Sequence, residues 1–216
     1  MKNPDRHYEN THIFISDNVD GPLDIPVIEP EEYEGCEWIS FNYAKSERHP
    51  ESKGVHFYLD DYQFARLWKD PMRYIDMLRR FKYVMSPDFS MFTDYPKVLQ
   101  MYSHYKKHWI AQLWQEYGIM VIPTICWSDQ SSFEWCFDGE PEGSVVSVAS
   151  TGCANAQSKI DAFNVGYEAM ITKLQPTKVI FFGKDILNEN ANRSIVEFHK
   201  TQAKERMNGL DEKSSS

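Results

Sequence analysis

The stretches YVMSPDFS (83–90) and GIMVIPTICWSDQ (118–130) decide the fold. Each begins with an apolar run typical of a buried β-strand and ends in polar residues. Pro87 stops the first strand, because proline cannot donate a hydrogen bond to a sheet. Apolar residues recur at helical spacing over 96–117, and Gly118 is suited to end that helix. A strand, a long helix and a second strand predict two parallel strands with their polar ends at one edge.

The rest of the chain repeats this alternation. Further strands are expected at 38–44, 55–59, 144–149 and 178–182, and helices at 62–80 with a restart at Asp70–Pro71, at 131–139 and from 153 to just before Pro176. We therefore predict an α/β fold of about six mostly parallel strands alternating with helices. The sheet is expected to be reduced or open and TIM-barrel-like, and the alternative is a doubly wound open sheet.

The predicted domain organisation has three parts. An extended N-terminal arm (1–37) holds one strand-like run at 12–15, and the α/β domain follows at 38–186. A polar C-terminal extension (187–216) is expected to be partly helical, over 191–207, or disordered. With 216 residues, 42% of them hydrophobic, the chain can bury one core of this size.

Composition argues against several functional classes. The net charge of −9 and the pI near 5.3 do not indicate nucleic acid as a partner. No apolar run reaches the roughly 18 residues of a membrane span, and the N-terminus lacks a signal-peptide pattern. A cytoplasmic location, with the thiols of the four cysteines reduced, is expected because both of these patterns are missing; the cysteines also include no CxxC pair. His104 and His108 are four residues apart, but no glutamate lies near them in sequence, so the pair does not match a zinc-protease motif and no metal ligand is assigned.

Three carboxylates directly follow predicted strands and are the candidate catalytic residues. Asp60 and Asp61 follow one strand, and Asp88 follows the next. At the carboxyl edge of a parallel sheet, such groups suit general acid–base chemistry or metal binding. The alternative is structural: Asp60 or Asp61 would cap the next helix, and Asp88 would accept backbone hydrogen bonds in its turn.

Polar and aromatic residues at the same edge are the candidate ligand-binding residues. They are Ser86, Ser90, Thr124, Trp127, Asp129, Thr151, Gly152 and Lys184. Trp127 is either a platform for a flat ligand or a core residue.

Two helix N-termini are expected at this edge, one after Gln130 with a Ser131–Glu134 capping box and one after Gly152. Together with Lys184 they would hold a phosphate, and the alternative is ordinary helix capping. Cys153 would then start a helix, where a thiol pKa is lowered, although a passive cysteine is the favoured interpretation.

The succession VMSPDFSMFTDYP, the helix with Trp109 and Trp114, and GIMVIPTICWSDQSSFEWCFDGEPEGSVVSVASTG resembles a family of proteins of unknown function from bacteria, their phages and plasmids. The resemblance covers roughly residues 38–184. It implies a mobile-element setting and a single α/β domain. It assigns no catalytic residue.

These observations lead to two hypotheses of different classes. The first is a small cytoplasmic enzyme of a mobile element, a hydrolase or transferase acting on a phosphorylated or glycosidic small molecule that could be nucleotide-derived. The second is a non-catalytic module that recognises a host protein or a nucleotide signal. Carboxylates converging on a pocket beside Trp127 would favour the enzyme, and carboxylates all engaged in capping would favour the binding module. The sequence names no cofactor.

Overall fold

A computed structural model describes residues 9–200 and shows a small antiparallel hairpin followed by two parallel sheets. The hairpin pairs β1 (Val19–Asp20) with β2 (Ile25–Pro26). The first sheet has the order β3 (Glu37–Ser40), β4 (Lys53–His56), β5 (Tyr83–Met85) and β6 (Val121–Ile122). The second has the order β7 (Val145–Ala149), β8 (Lys178–Phe182) and β9 (Val196–His199). The predicted α/β class with parallel strands is confirmed.

Two long helices cover these sheets, α4 (Lys97–Glu116) and α5 (Gln157–Leu174). The short helices α1 (Phe41–Ala44), α2 (Arg66–Lys69) and α3 (Ile75–Leu78) lie between the first strands. The α4 helix buries Trp109, Ile110, Leu113 and Trp114, and α5 buries Phe163, Tyr167, Met170 and Leu174. Gly118 has a φ of 75°, the left-handed conformation that ends a helix, so the predicted C-terminal stop is confirmed.

One bridge joins the two sheets. Thr124, just beyond β6, pairs with Ser147 of β7 in parallel orientation. Ile125 N donates to Ser147 O at 2.8 Å, and Ser147 N donates to Pro123 O at 2.8 Å. The strands before and after the bridge therefore run in the same direction and present their carboxyl ends at one edge.

The sheets curl strongly toward each other. The ring centroid of Phe182 on β8 lies 4.8 Å from that of His56 on β4 and 4.9 Å from that of Tyr58. In a flat sheet of this order, β4 and β8 would be about 19 Å apart, four strand spacings of about 4.8 Å. Within residues 9–200, the strand pairings do not close into a barrel, because no ladder joins β9 to β3.

Several predicted elements are shorter than expected or of another kind. The strand at 38–44 ends at Ser40, because α1 follows and buries Phe41 and Ala44 three residues apart. The 62–80 helix is divided into short α and 3-10 pieces, and Asp70 starts the Pro71–Tyr74 turn without a side-chain cap. The segment 12–15 is not a strand.

The C-terminal helix predicted over 191–207 is wrong within the described residues. Val196–His199 forms β9, where Val196 and Phe198 alternate with polar residues in the period of a strand. The ring of Phe198 lies 5.1 Å from that of Phe181 on β8, and this packing adds the strand to the sheet. The remainder of the predicted helix, from 201 onward, lies outside the described residues.

Candidate functional site

A small cavity opens where β4 to β7 end, and we call it the edge cavity. Its volume is about 190 Å³. It is lined by the polar or thiol side chains of Tyr58, Asp88, Ser90, Cys126, Thr151 and Cys153, and by the apolar groups of Phe89, Met91, Phe92, Ile125, Trp127, Ala149 and Phe163. Parallel α/β proteins place their ligand sites at this edge.

Asp88 is the ionisable group of the edge cavity with a pKa suited to acid–base chemistry. Burial raises the pKa of its carboxyl to about 7, the charge of Lys107 opposes that rise, and Asp61 adds to it. Cys126 contributes a hydrogen bond that favours the charged form. Near neutral pH, Asp88 is therefore divided between its protonated and charged forms, which is the condition for accepting and returning a proton.

The turn that carries Asp88 is fixed on both sides. The carboxylate of Asp61 accepts hydrogen bonds from Ser90 N at 3.1 Å and from Ser90 Oγ at 2.7 Å. On the other side, Thr124 N donates to Ser86 Oγ at 2.8 Å and Thr124 Oγ1 donates to Ser86 O at 2.9 Å. The structure thus engages Asp61, Ser86 and Thr124 in holding the turn.

Tyr58 is a cavity residue that the sequence analysis missed. Ser147 Oγ donates to Ile180 O at 3.0 Å, so the Tyr58 hydroxyl is the donor in its 2.6 Å contact with Ser147 Oγ. Burial, with a further contribution from Asp88, raises the pKa of Tyr58 well above its usual value. Tyr58 is therefore a neutral phenol. Its position at the end of a predicted strand was the signal that could have identified it.

Trp127 forms one wall of the edge cavity. Its indole lies directly on Gly166 of α5, where a Cβ would come within 2.1 Å of Trp127 Nε1. On the same helix, the ring centroid of Phe163 lies 5.2 Å from that of Trp127. The missing side chain at Gly166 thus makes room for the indole.

Gly166→Ala is expected to destabilise the protein by about 1–3 kcal/mol, because the indole must move to accommodate the added methyl group. Urea unfolding measures this change. In a Trp127→Ala background the same substitution should be neutral or stabilising by up to about 1 kcal/mol, since alanine favours a helix over glycine. Stabilisation by Gly166→Ala in the presence of Trp127 would contradict the packing described.

The remaining predicted site residues lie outside the cavity lining. Asp60 is exposed and accepts from Gln63 Nε2 at 3.4 Å. Asp129 is exposed and accepts from Ser131 N at 2.9 Å, so it, and not Ser131, caps the next turn. Gly152 occupies a turn with φ of 80°, and the side chain of Lys184 is exposed. The catalytic role of Asp60 and the ligand-binding roles of the other three stay predictions.

Both helix starts predicted to hold a phosphate are wrong. The segment Gln130–Glu134 is a 3-10 turn of five residues, and α5 begins at Gln157, beyond Gly152. Cys153 therefore lies four residues before the helix start that was expected to lower its pKa, and burial raises that pKa instead. Burial also raises the pKa of Cys126, although Lys107 opposes the rise. Both thiols are neutral, so neither is an activated nucleophile.

Titratable side chains form a second group, the buried polar cluster of His104, Lys107, His108 and Glu140. The side chains of Lys107, His108 and Glu140 are at most 1% exposed. Lys107 Nζ donates to Thr124 O at 2.9 Å and forms an ion pair with Glu140 Oε1. Burial opposes both charges, but their attraction prevails: the pKa of Glu140 is lowered and that of Lys107 is raised. Lys107 also acts electrostatically on Asp88 and thereby links the cluster to the edge cavity.

Three members of this cluster are arranged as metal ligands would be. One ligand atom from each of His104, His108 and Glu140 lies within 4.8 Å of the others. Sequence reasoning excluded the histidine pair because no glutamate was near it, and Glu140 follows His108 by 32 residues. The pair of histidines four residues apart was the available signal, and the folded chain supplies the carboxylate.

The fold and the edge cavity define an α/β protein with a polar site at the carboxyl ends of its parallel strands. The chain belongs to the family described as "Domain of unknown function (DUF4417)", whose sequence profile matches residues 17–199. The resemblance noted in the sequence is thus confirmed, and the match extends further, through β1, β2 and β9. The domain boundaries at 37/38 and 186/187 stay predictions.

Two phage proteins are similar to this chain. The "Gene 1 protein" of Mycobacterium phage L5 is 32% identical over 163 residues, which cover 74% of this chain and 71% of that protein. The "Gene 1 protein" of Mycobacterium phage D29 is 30% identical over 163 residues, 74% of this chain and 60% of that protein. No solved structure matches the chain. Among residues 9–200, none of the helices combines the length and apolar character needed to cross a membrane.

Proposed function

We propose that the protein is an enzyme of a mobile genetic element, a hydrolase or transferase that acts on a small molecule in the edge cavity with Asp88 as its general acid–base group. The observation that carries the proposal is the position of the Asp88 carboxyl on the wall of the edge cavity, where burial raises its pKa to about 7. Perturbed carboxyl groups in clefts are enriched at catalytic sites. We propose that a phage or plasmid encodes the protein and that it acts in the cytoplasm of the bacterial host.

We infer that the two curled sheets together form one open, TIM-barrel-like sheet beside the edge cavity. The contact of Phe182 with Tyr58 supports this arrangement, because it places β8 opposite β4. In barrels of that type the catalytic groups come from the ends of several strands. Asp88 and Cys126 follow β5 and β6, and Thr151 follows β7, which is the same distribution.

The cavity's size and lining favour a flat, neutral ring as the bound group. Its 190 Å³ is below the roughly 300 Å³ at which drug-sized pockets begin, so it suits a single base or sugar ring. Trp127, Phe163 and Phe92 offer aromatic surface for stacking. The lining contains no lysine or arginine, so a phosphate on the substrate would extend beyond the cavity. These features favour a glycosidic, nucleoside-like substrate.

The proposed chemistry follows from the two forms of Asp88. The protonated carboxyl donates its proton to the leaving atom of the substrate, and the carboxylate accepts a proton from the attacking water or hydroxyl group. Lys107 is essential to this balance, because its charge keeps the carboxyl pKa from rising further. Cys126 acts as a neutral hydrogen-bond partner of Asp88 and not as the nucleophile.

Asp88→Asn is expected to abolish turnover, because an amide cannot exchange the proton. The measurement is a thermal-shift screen with nucleosides and simple N-glycosides, followed by product analysis of each compound that binds. Asp94→Asn is the matched control: the residue is exposed and outside the cavity lining, and this variant should keep activity within about twofold. Full turnover by Asp88→Asn would refute the catalytic assignment.

The second hypothesis, a binding module without turnover, has one observation in its favour. The carboxylate of Asp61 is engaged by Ser90 and that of Asp129 caps a turn, so these two acidic residues have structural roles. We assign Asp88 no such structural role, and for that reason we favour the enzyme. A compound that stabilises the wild type but is recovered unchanged would support the binding module instead.

A further inference from the structure

We propose that His104, His108 and Glu140 bind one divalent transition-metal ion, with Zn²⁺ the best match. The ion would hold α4 to the loop that carries Glu140. This site is separate from the edge cavity, and the proposal goes beyond the acid–base function of Asp88.

The tautomer of His104 leaves a lone pair available. Its Nε2 lies 3.0 Å from Asp138 O, and a carbonyl oxygen only accepts, so Nε2 carries the hydrogen. In the neutral ring, Nδ1 is then the lone-pair nitrogen. This atom is buried and has no hydrogen-bond partner among the described residues. A buried acceptor left without a partner is costly, and a bound cation would satisfy it.

His108 leads to the same conclusion by a different contact. Its Nδ1 lies 2.8 Å from Pro26 O and must therefore carry the hydrogen, which leaves the lone pair on Nε2. Nε2 faces Glu140 Oε1 at 3.0 Å, so two acceptors point at each other. Lys107 supplies a cation to Oε1, but the lone pair of His108 Nε2 faces no donor in this contact and is available to a metal ion. The second carboxylate oxygen, Glu140 Oε2, is also buried without a partner.

The three ligands have the chemistry of a zinc site and lie near its geometry. His104 and His108 lie on one face of α4, with ring centroids 4.3 Å apart. Zinc binds imidazole nitrogen and carboxylate oxygen at about 2.0–2.2 Å, and two histidines four residues apart on a helix with a glutamate form a known ligand set. The ligand atoms, within 4.8 Å of one another, need only a small contraction. The carbonyls of Asp138 and Pro26 orient the two rings, as outer partners of metal ligands do.

Lys107 is compatible with the ion because it uses the other carboxylate oxygen. It pairs with Glu140 Oε1, so Oε2 remains available as the ligand atom. The carboxylate of Asp88 also acts electrostatically on Lys107 and offsets part of the added positive charge. The two histidines and the Glu140 side chain are almost fully buried, so the ion would be taken up as the chain folds.

Metal analysis of the full-length, tag-free chain tests the proposal. After refolding with excess Zn²⁺ and removal of the unbound metal, the wild type should retain about one zinc ion per chain, and His104→Ala and Glu140→Gln should each retain less than about a tenth of that. His56→Ala is the matched control, since it removes another buried histidine outside the cluster and should leave the zinc content unchanged.

Refolding the wild type with Co²⁺ gives a readout that needs no variant. A bound Co²⁺ ion should produce visible absorption bands that added Zn²⁺ abolishes. Wild-type protein that binds neither metal would overturn the proposal, because the His108–Glu140 contact would then hold a shared proton. Full zinc retention by His104→Ala, with a cooperative unfolding transition, would also overturn it, because the ion would be elsewhere.

Discussion

Lys107→Ala is expected to lower the free energy of unfolding by about 3–5 kcal/mol, because it leaves the carboxylate of Glu140 buried without its ammonium partner. The side chains of the pair are 1% and 0% exposed, so water cannot replace the lost charge. Thr124 O also loses its donor. Urea unfolding in the presence of a chelator measures the effect without any contribution from a bound metal.

The neighbouring lysine provides the control. Lys106 lies over the rings of Phe89 and Tyr102 at 4.3 and 5.0 Å and is only partly buried. Lys106→Ala should therefore cost about 1 kcal/mol or less. Adding Glu140→Gln to Lys107→Ala should recover part of the loss, because the amide carries no charge. Equal losses for the two lysine variants would show that the buried ion pair is not the cause.

Asp88→Asn is expected to make the protein more stable than the wild type at pH 8. The folded-state pKa of about 7 is above the unfolded value of about 3.9. Stability contributed by the neutral carboxyl is therefore fully present below about pH 4 and is lost as the pH rises through 7. The amide resembles the neutral form at every pH. For a partly buried carboxyl we expect a gain of about 2 kcal/mol at pH 8, roughly 4–8 °C in Tm.

The same gain should disappear near pH 4, where both side chains are uncharged. Melting temperatures of the two proteins between pH 4 and pH 8 give the required comparison. Asp60→Asn, at an exposed position, should follow the wild-type curve throughout. A variant of Asp88 that melts several degrees lower at pH 8 would mean that the carboxylate holds its turn, and the catalytic role would then lose its support.

The sequence was sufficient for the parallel order of the strands because its signals there are local. Pro87 and Gly118 limit a strand and a helix by their own backbone chemistry, and the long crossover between them requires parallel strands. The curl of the sheets and the pairing of β9 depend on contacts of Phe182 and Phe198 with rings elsewhere in the fold. No local spacing encodes such contacts.

The candidate site was likewise predictable where the signal is local in sequence and missed where it depends on distant residues. Asp88, Trp127 and Thr151 were predicted because they directly follow strands, and the structure brings them to one cavity. Glu140 was assigned no role, because its partners on α4 are more than 30 residues away in sequence. The two helix starts expected beside Lys184 were wrong for a related reason, because where a helix begins depends on how the preceding turn packs.

The bridge between Thr124 and Ser147 bears on how large a ligand the edge cavity can accept. Pro123 has no N–H, so the bridge beside the cavity is short, with the hydrogen bonds of Ile125 N and Ser147 N at its centre. Side chains reinforce it, because the Tyr58 hydroxyl contacts Ser147 and the ring of Phe182 packs against those of His56 and Tyr58. Separating the sheets at this point therefore exposes buried aromatic surface in addition to breaking hydrogen bonds. The cavity is expected to keep its volume of about 190 Å³, so its fixed size excludes any ligand whose bound group is larger than a single ring.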